Sequence, residues 1–537
     1  MFLLCWIGFV LAQWQMLTSL SIYFSKPNPG LWYFFSSDTF VFASMYQDLF
    51  VDGFAWSSLS LPGAAPSFHH MLLYFILRFV TGSDVTAHVL NAMIEPLLLV
   101  LAFLYLSGSV DRRLRLRDRS LMVLTGAVVI LLFAHNKAAD LRAYFWIARH
   151  SGSVMLMLVC CGALLNLASK PRIRHYVVLF LCCGLAIQSN LLFFVIFVAP
   201  ALATLLVCAL LKVYGGRTAL FAAAAVAAAA IVGVLLGELA APSSPLSALL
   251  SPVTTRDSAV WGSLLKLLGD SFTTRGVRMY YSLVVVFWIA VAIVLVVREL
   301  RRFAQGSEGQ RGVVVFGIFS LLMICCNLSA IIITSKPAQG VGYTRYYMPT
   351  QTIALFGVAF LVTFLVRQHW SAHRNKVMAV FLVAYFVLLG ETWLSSRSWT
   401  RSVFSYYPPL TRCLDGLSER YDMRYGIADF WLARYNTIFS KRGLRIYPVW
   451  PNLKPYPWLG NKDWYLGGVG ARNHDDPIYH FFITGSNKHG GGGLSRAHLR
   501  YFGEPIAHES CMGYEVFVYD HTMDSKVKAA FRQHLGK

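Results

Sequence analysis

Eleven stretches of this chain are apolar over lengths near the ~20 residues an α-helix needs to cross about 30 Å of hydrocarbon. They run over about 3–24, 86–107, 121–134, 151–168, 176–187, 191–211, 218–240, 281–297, 312–334, 350–366 and 377–395. A bilayer supplies no water to backbone groups, so such runs must close their hydrogen bonds within helices. Only 14% of the residues are charged and mean hydropathy is +0.54, which excludes an ordinary soluble enzyme. The expectation is a polytopic α-helical membrane protein with about 11 transmembrane helices over residues 1–396, followed by a C-terminal extracytoplasmic α/β domain over 397–537. Gln188, Ser189 and Asn190 separate two of the runs and predict a tight hairpin. The first run has neither a basic leading region nor a small-residue cleavage site, and reads as a retained helix.

The formal charge of +21 divides unevenly among the loops. Loops 108–120, 169–175, 212–217, 298–311 and 367–376 hold 17 Lys and Arg in 50 positions; loops 25–85, 135–150, 241–280 and 335–349 hold 11 in 132. The dense set is expected in the cytoplasm, with the N-terminus, which places the C-terminal domain outside. The run Asp111 to Arg119 reads as an anchor beside anionic head groups, with no nucleic-acid partner. The sequon Asn327-Leu-Ser329 sits inside an apolar run, and an alanine-rich stretch at 222–230 favours a bacterial plasma membrane. Eight of ten cysteines lie in apolar runs and read as small hydrophobes; Cys413 and Cys511 outside them are either a disulfide or two buried thiols.

The outer loops are long and carry their own acids, which is where function collects. In the first, 25–85, the spacing of Phe42, Met45, Tyr46 and Leu49 predicts an amphipathic helix over 39–50, lying on the membrane surface and stopped by Gly53. Asp38 stands at its start, as an N-cap, a catalytic acid/base or both; Ser37 and Thr39 are alternative caps. Asp48 and Asp52 share a helix face and read as solvated or interfacial, with a supporting catalytic role as the alternative. His69 and His70 open a further interfacial helix and are candidate substrate-binding residues or merely polar surface. Lys137, Arg142 and Arg149, and later Lys336, Tyr343 and Arg345, set basic and aromatic groups at the outer surface, against the topology rule. Either they anchor to head groups or they bind a phosphate, which an arginine can grip with two parallel charged hydrogen bonds.

This layout resembles the GT-C superfamily of lipid-linked-sugar glycosyltransferases, particularly the bacterial branch near aminoarabinose transferase and the protein mannosyltransferases. Phe68-His-His-Met-Leu72 looks like a divergent form of the family's His-Pro-Pro-Leu stretch, and Arg345-Tyr-Tyr-Met-Pro349 matches its Arg-Tyr-x-x-Pro before a late helix. Where the family often carries two adjacent first-loop acids, Asp38 stands between Ser37 and Thr39. The resemblance implies transfer of a sugar from a polyprenyl-phosphate donor to a glycan, lipid or protein acceptor by direct displacement. Asp38 would remove the acceptor proton, and Arg345, Arg149, Lys336 and Tyr343 would hold the departing phosphate. No cofactor is firmly expected, a divalent metal is left open, and membrane lipids are the remaining partners.

Three other function classes are open, one of them a non-enzymatic partner in glycan assembly. A lipid-linked-sugar flippase or transporter would carry ionisable groups at mid-membrane and internal repeats, of which Glu95 alone is evident. An O-antigen ligase or polymerase would carry its large loop late in the chain. In the C-terminal domain, 425–440 is expected helical, and 443–449, 478–484 and 515–519 are expected strands. Trp450, Tyr456, Trp458, Trp464 and Tyr465 either stack on sugars or pack the core; His489 and four glycines form a loop, and the basic tail from Ser525 is expected to fray.

Overall fold

The computed structural model describes residues 7, 10, 34, 35, 37, 39–60, 68–135, 151–240, 261, 262, 265, 266, 277–305, 310–334, 346–404, 406–456, 460–465, 477–485 and 494–535. The first loop supplies α1 (Val41–Tyr46), which continues as a π-helical segment over Gln47–Asp52, then β1 (Leu59–Ser60) and α2 (Phe68–Thr81). The apolar runs become α3 (Asp84–Val110), α4 (Leu116–His135), α5 (Ser151–Ser169), α6 (Ile173–Ser189), α7 (Ala199–Leu210, led by a π-helical turn at Phe194–Val198), α8 (Gly216–Ala240), α9 (Val277–Ala304), α10 (Arg311–Ile333), α11 (Met348–His369) and α12 (Arg374–Ser402). Among the described residues seven helices are long and apolar enough to cross a membrane, and three shorter apolar helices accompany them. The chain is a multi-pass helical membrane protein. The expected run at 3–24 lies outside the described residues apart from Ile7 and Val10.

Helix contacts explain the small residues. A Cβ placed on Gly233 of α8 would lie 2.7 Å from the Gly184 carbonyl oxygen and 2.9 Å from Ile187 Cβ of α6, so glycine lets two backbones approach where hydrocarbon offers no hydrophobic drive. The break expected at Asn190 is present: Asn190 is extended, and its side-chain oxygen accepts from the Leu192 amide at 3.0 Å.

The five basic loops meet at one end of the bundle. Arg367 pairs with Asp111 at 2.9 Å and Arg374 with Asp118 at 3.0 Å; Glu299 accepts from Arg298, Arg302 and the Gln310 amide. Arg112 reaches the carbonyl of Asn166 beside the second of these loops, the Tyr214 hydroxyl of the third donates to Leu164 at 2.6 Å, and Gly312 abuts the Val110 carbonyl. The two acids of the Asp111–Arg119 run are thus taken up by arginines of another loop, while its own Arg112, Arg113, Arg115 and Arg117 remain exposed.

The C-terminal region holds α13 (Pro409–Tyr421), β2 (Tyr425–Ala428), α14 (Phe430–Phe439), β3 (Arg445–Pro448), β4 (Gly460–Asn461), β5 (Tyr479–Thr484), β6 (Ala507–Cys511), β7 (Tyr514–Val518) and α15 (Thr522–Leu535). Five strands form a sheet in the order β3-β2-β5-β7-β6, with β2 parallel to β3 and β5, and β7 antiparallel to β5 and β6. The helix expected at 425–440 is corrected: 425–428 is a fully buried strand. Asp429 divides the two, its carboxylate accepting from the amides of Trp431 and Leu432 as the N-cap of α14. The expected fraying tail is also corrected. It forms α15, whose Met523, Val527 and Phe531 are buried, Phe531 standing edge-on to Tyr465 and Tyr479. A disulfide joins Cys413 of α13 to Cys511 of β6.

Candidate functional site at the junction of the first loop and the C-terminal region

The first loop does not stand alone. Strand β1 pairs antiparallel with β4, Leu59 opposite Asn461 and Ser60 opposite Gly460. Phe35 and Phe40 pack with Phe439, and Val403, Tyr435 and Phe439 share one buried cluster with Phe34, Val41, Phe42 and Tyr74. Helix α1 therefore lies against α14. Phe42 and Met45 are buried in protein, whereas Phe50 and Val51 are exposed beyond the turn. Gly53 ends the segment at φ 76°, a left-handed conformation in which glycine carries no Cβ penalty. Phe40 occupies the N-cap position with no side-chain bond to the helix; the Ser37 hydroxyl donates to the Trp431 carbonyl and the Thr39 hydroxyl to the Phe34 carbonyl.

Asp48 and Asp52 were expected solvated or interfacial, and the structure corrects this: they are 3% and 4% exposed. The cover is the C-terminal region. Asp52 pairs with Arg445 at 2.9 Å and accepts from Gln47 at 3.1 Å. Asp48 Oδ1 accepts from the indole of Trp464 at 2.9 Å, while its Oδ2 is buried without a hydrogen-bond partner among the described residues. Burial pushes the Asp48 carboxyl up to about 7, with Asp52 adding to the rise; the Trp464 hydrogen bond, Arg445 and Arg434 oppose it. The carboxyl is thus poised to hold or release a proton near neutrality. Arg434 is buried too, which pushes it down to about 10 and leaves it charged at neutral pH. Its Nη1 donates to the Ser37 carbonyl at 3.0 Å, and its guanidinium lies over the Phe430 ring.

Asp48, Asp52, Arg434, Arg445 and Trp464 line one cleft, together with Ser44. Its interior, about 20 Å³, has room for a water molecule and not for a sugar. The cleft is therefore a charged seam that fastens the loop, with the Asp48 carboxyl raised by its burial there.

His70 belongs to different contacts. It is 1% exposed, so it is no polar surface residue, and its Nδ1 lies 3.3 Å from Glu95 of α3. The side chain of His69 and all of Asp38, Arg149, Lys336, Tyr343 and Arg345 lie outside the described residues. Pro349 opens α11 directly after the Arg-Tyr-Tyr-Met stretch, so the helix expected there is present. Of the aromatic segment, Trp464 and Tyr465 pack the core, Trp450 is 46% exposed and meets Tyr456 edge-on at 4.5 Å, and Trp458 is outside the described residues. Among the described residues no three His, Cys, Asp or Glu side chains gather as metal ligands.

Arg434 and Arg445 went unread in the sequence. Arg434 has one visible mark: it is a single charge within Phe430-Trp-Leu-Ala-Arg-Tyr435, a stretch otherwise fit for burial.

No family model matches this chain, and no curated protein matches it. Solved structures similar to it include ArnT from Cupriavidus metallidurans bound to undecaprenyl phosphate, 12% identical over 96% of this chain and 98% of that one, with a TM-score of 0.49. Another is the Archaeoglobus fulgidus oligosaccharyltransferase in complex with Zn and sulfate, 12% identical over 88% of this chain and 67% of that one, with a TM-score of 0.39. These are likenesses of overall shape.

Proposed function

We propose that the chain is an inverting glycosyltransferase that moves a sugar from a polyprenyl-phosphate donor to an envelope glycan, lipid or protein acceptor, on the outer face of a bacterial plasma membrane. The observation that carries the reading is the sealing of the acidic first loop by the C-terminal region at the end of α3 where the chain enters the bundle from that loop. Such a seal limits water and fixes a loop, which a displacement reaction needs and a passive loop does not.

In this reading Asp38 takes the proton of the attacking hydroxyl. The bond from acceptor oxygen to anomeric carbon forms as the bond to the phosphate oxygen breaks, and the phosphate leaves as an anion with no protonating acid. Arg345, Arg149, Lys336 and Tyr343 offset its charge beside the membrane, where charge interactions exceed those in bulk water. Asp48 and Asp52 support the loop from behind.

The test is mass analysis of envelope glycans from cells with the gene, without it, and with Asp38→Asn or Arg345→Ala. One sugar should disappear without the gene and with Asp38→Asn, and Arg345→Ala should lower its incorporation. Normal incorporation by a well-expressed Asp38→Asn protein overturns the catalytic assignment.

A further inference from the structure

The cleft described above contains a cation with an unusual position. Arg434 is 3% exposed on an otherwise uncharged helix of the C-terminal region, yet one of its bonds leaves that region entirely and ends on the carbonyl of Ser37 in the first loop. Ser37 is itself fully buried, and its hydroxyl donates back to the Trp431 carbonyl at 3.1 Å. The pair Trp431 and Arg434, one helical turn apart on α14, thus grips Ser37 by both its side chain and its backbone. Thr39, 2% exposed, is tied in turn to the Phe34 carbonyl at 2.8 Å. The two residues that flank Asp38 in sequence are therefore both fastened, and Ser37 is fastened by a part of the chain almost 400 positions away: the separation is 397 for the Arg434 bond.

Stability alone is a poor reason for this arginine. Burying a guanidinium carries a desolvation cost that neighbouring charges recover only in part, and a well-packed apolar side chain in its place is commonly neutral or better. Asp52 has Arg445 as its partner, and the acid whose charge Arg434 feels most is Asp48, which is why the two are removed together below. What an apolar residue could not do is donate to the Ser37 carbonyl.

We propose that Arg434 is a positioning residue for the reaction: the C-terminal region, acting through Arg434 and the Trp431 carbonyl, sets the backbone that presents the first-loop carboxylate. This rests on the reading of Asp38 as the reacting carboxylate. Arg434 touches no reacting atom. It acts through Ser37.

The experiment uses the full-length protein in three variants: Arg434→Lys, Asp48→Asn, and Arg434→Met combined with Asp48→Asn, the last removing both buried charges so that neither is left uncompensated. Three quantities are read: sugar incorporation into envelope glycans, binding of undecaprenyl phosphate to the purified protein by tryptophan fluorescence, and amide hydrogen exchange of the peptide spanning 34–46. The double variant should keep a cooperative melt and bind undecaprenyl phosphate within about twofold of the parent, yet lose ~10²-fold in incorporation rate, the size of loss that a small misplacement of a reacting group produces. Asp48→Asn alone should lose far less, and Arg434→Lys, which keeps a donor, should recover part of the loss. Exchange over 34–46 should quicken in the double variant and not in Asp48→Asn. Unchanged incorporation with unchanged exchange overturns the proposal, as does a loss that Asp48→Asn reproduces in full. Should the parent transfer no sugar, the function reading falls, and the exchange of 34–46 still decides whether Arg434 holds that segment.

Discussion

Trp464 donates its indole hydrogen to Asp48 Oδ1 at 2.9 Å, across 416 positions of sequence. Both side chains are buried, so the bond is not shared with water. Removing the donor leaves a buried carboxyl with neither oxygen bonded. Trp464→Phe should therefore cost ~1–3 kcal/mol of stability, measured by chemical denaturation in detergent. It should also raise the Asp48 carboxyl further, since the bond lost is the largest influence holding it down.

Asp48 also makes stability depend on pH. Its folded value, about 7, lies above the ordinary 3.8, so the folded chain binds the proton more tightly than the unfolded one. The contribution is fully present below the ordinary value and is lost as pH rises from there through about 7. At ~1.4 kcal/mol per unit the loss is at most about 4 kcal/mol, and less where Arg434 and Arg445 re-pair with the anion. Asp48→Asn should flatten melting temperature against pH across this window. A parent curve as flat as that of the variant would contradict the assignment.

Asp52 and Arg445 form an ion pair with side chains 6% and 19% exposed. Arg445→Met strands a buried carboxylate and should cost ~3–5 kcal/mol, whereas Arg445→Met with Asp52→Asn should recover much of it. The coupling is read from a double-mutant cycle on urea or thermal denaturation; additive losses would show that the pair does not interact.

The Cys413–Cys511 bridge closes a separation of 98 residues and ties α13 to the edge strand β6. Replacing both by serine should lower stability by ~2–5 kcal/mol, and free-thiol labelling of the unreduced parent should find neither cysteine.

Much of the architecture was legible because one physical rule governs it. Hydrocarbon admits only closed backbone hydrogen bonding, so a long apolar run is a helix whatever its neighbours, and runs 86–107 and 312–334 became α3 and α10. Gly53 as a stop and Pro349 at the start of α11 were legible for the same kind of reason, since backbone geometry there depends on the residue itself. Local rules failed where a short stretch had two options. Tyr425–Ala428 carries a pattern that suits a helix, and became a strand because β3 and β5 flank it on both sides. The tail around Phe531 is polar enough to fray, and folds because Tyr465 and Tyr479 receive its ring.

By itself the sequence determined that the chain crosses a membrane many times, that its basic loops belong together, and that acids gather in the first loop. Only the tertiary structure decided what those acids meet. Whether Asp48 and Asp52 face water or an arginine depends on residues 445 and 464, and no local pattern encodes a contact across 400 positions. The burial that makes Asp48 a proton-holding group near neutrality comes from the cover laid over it by the C-terminal region.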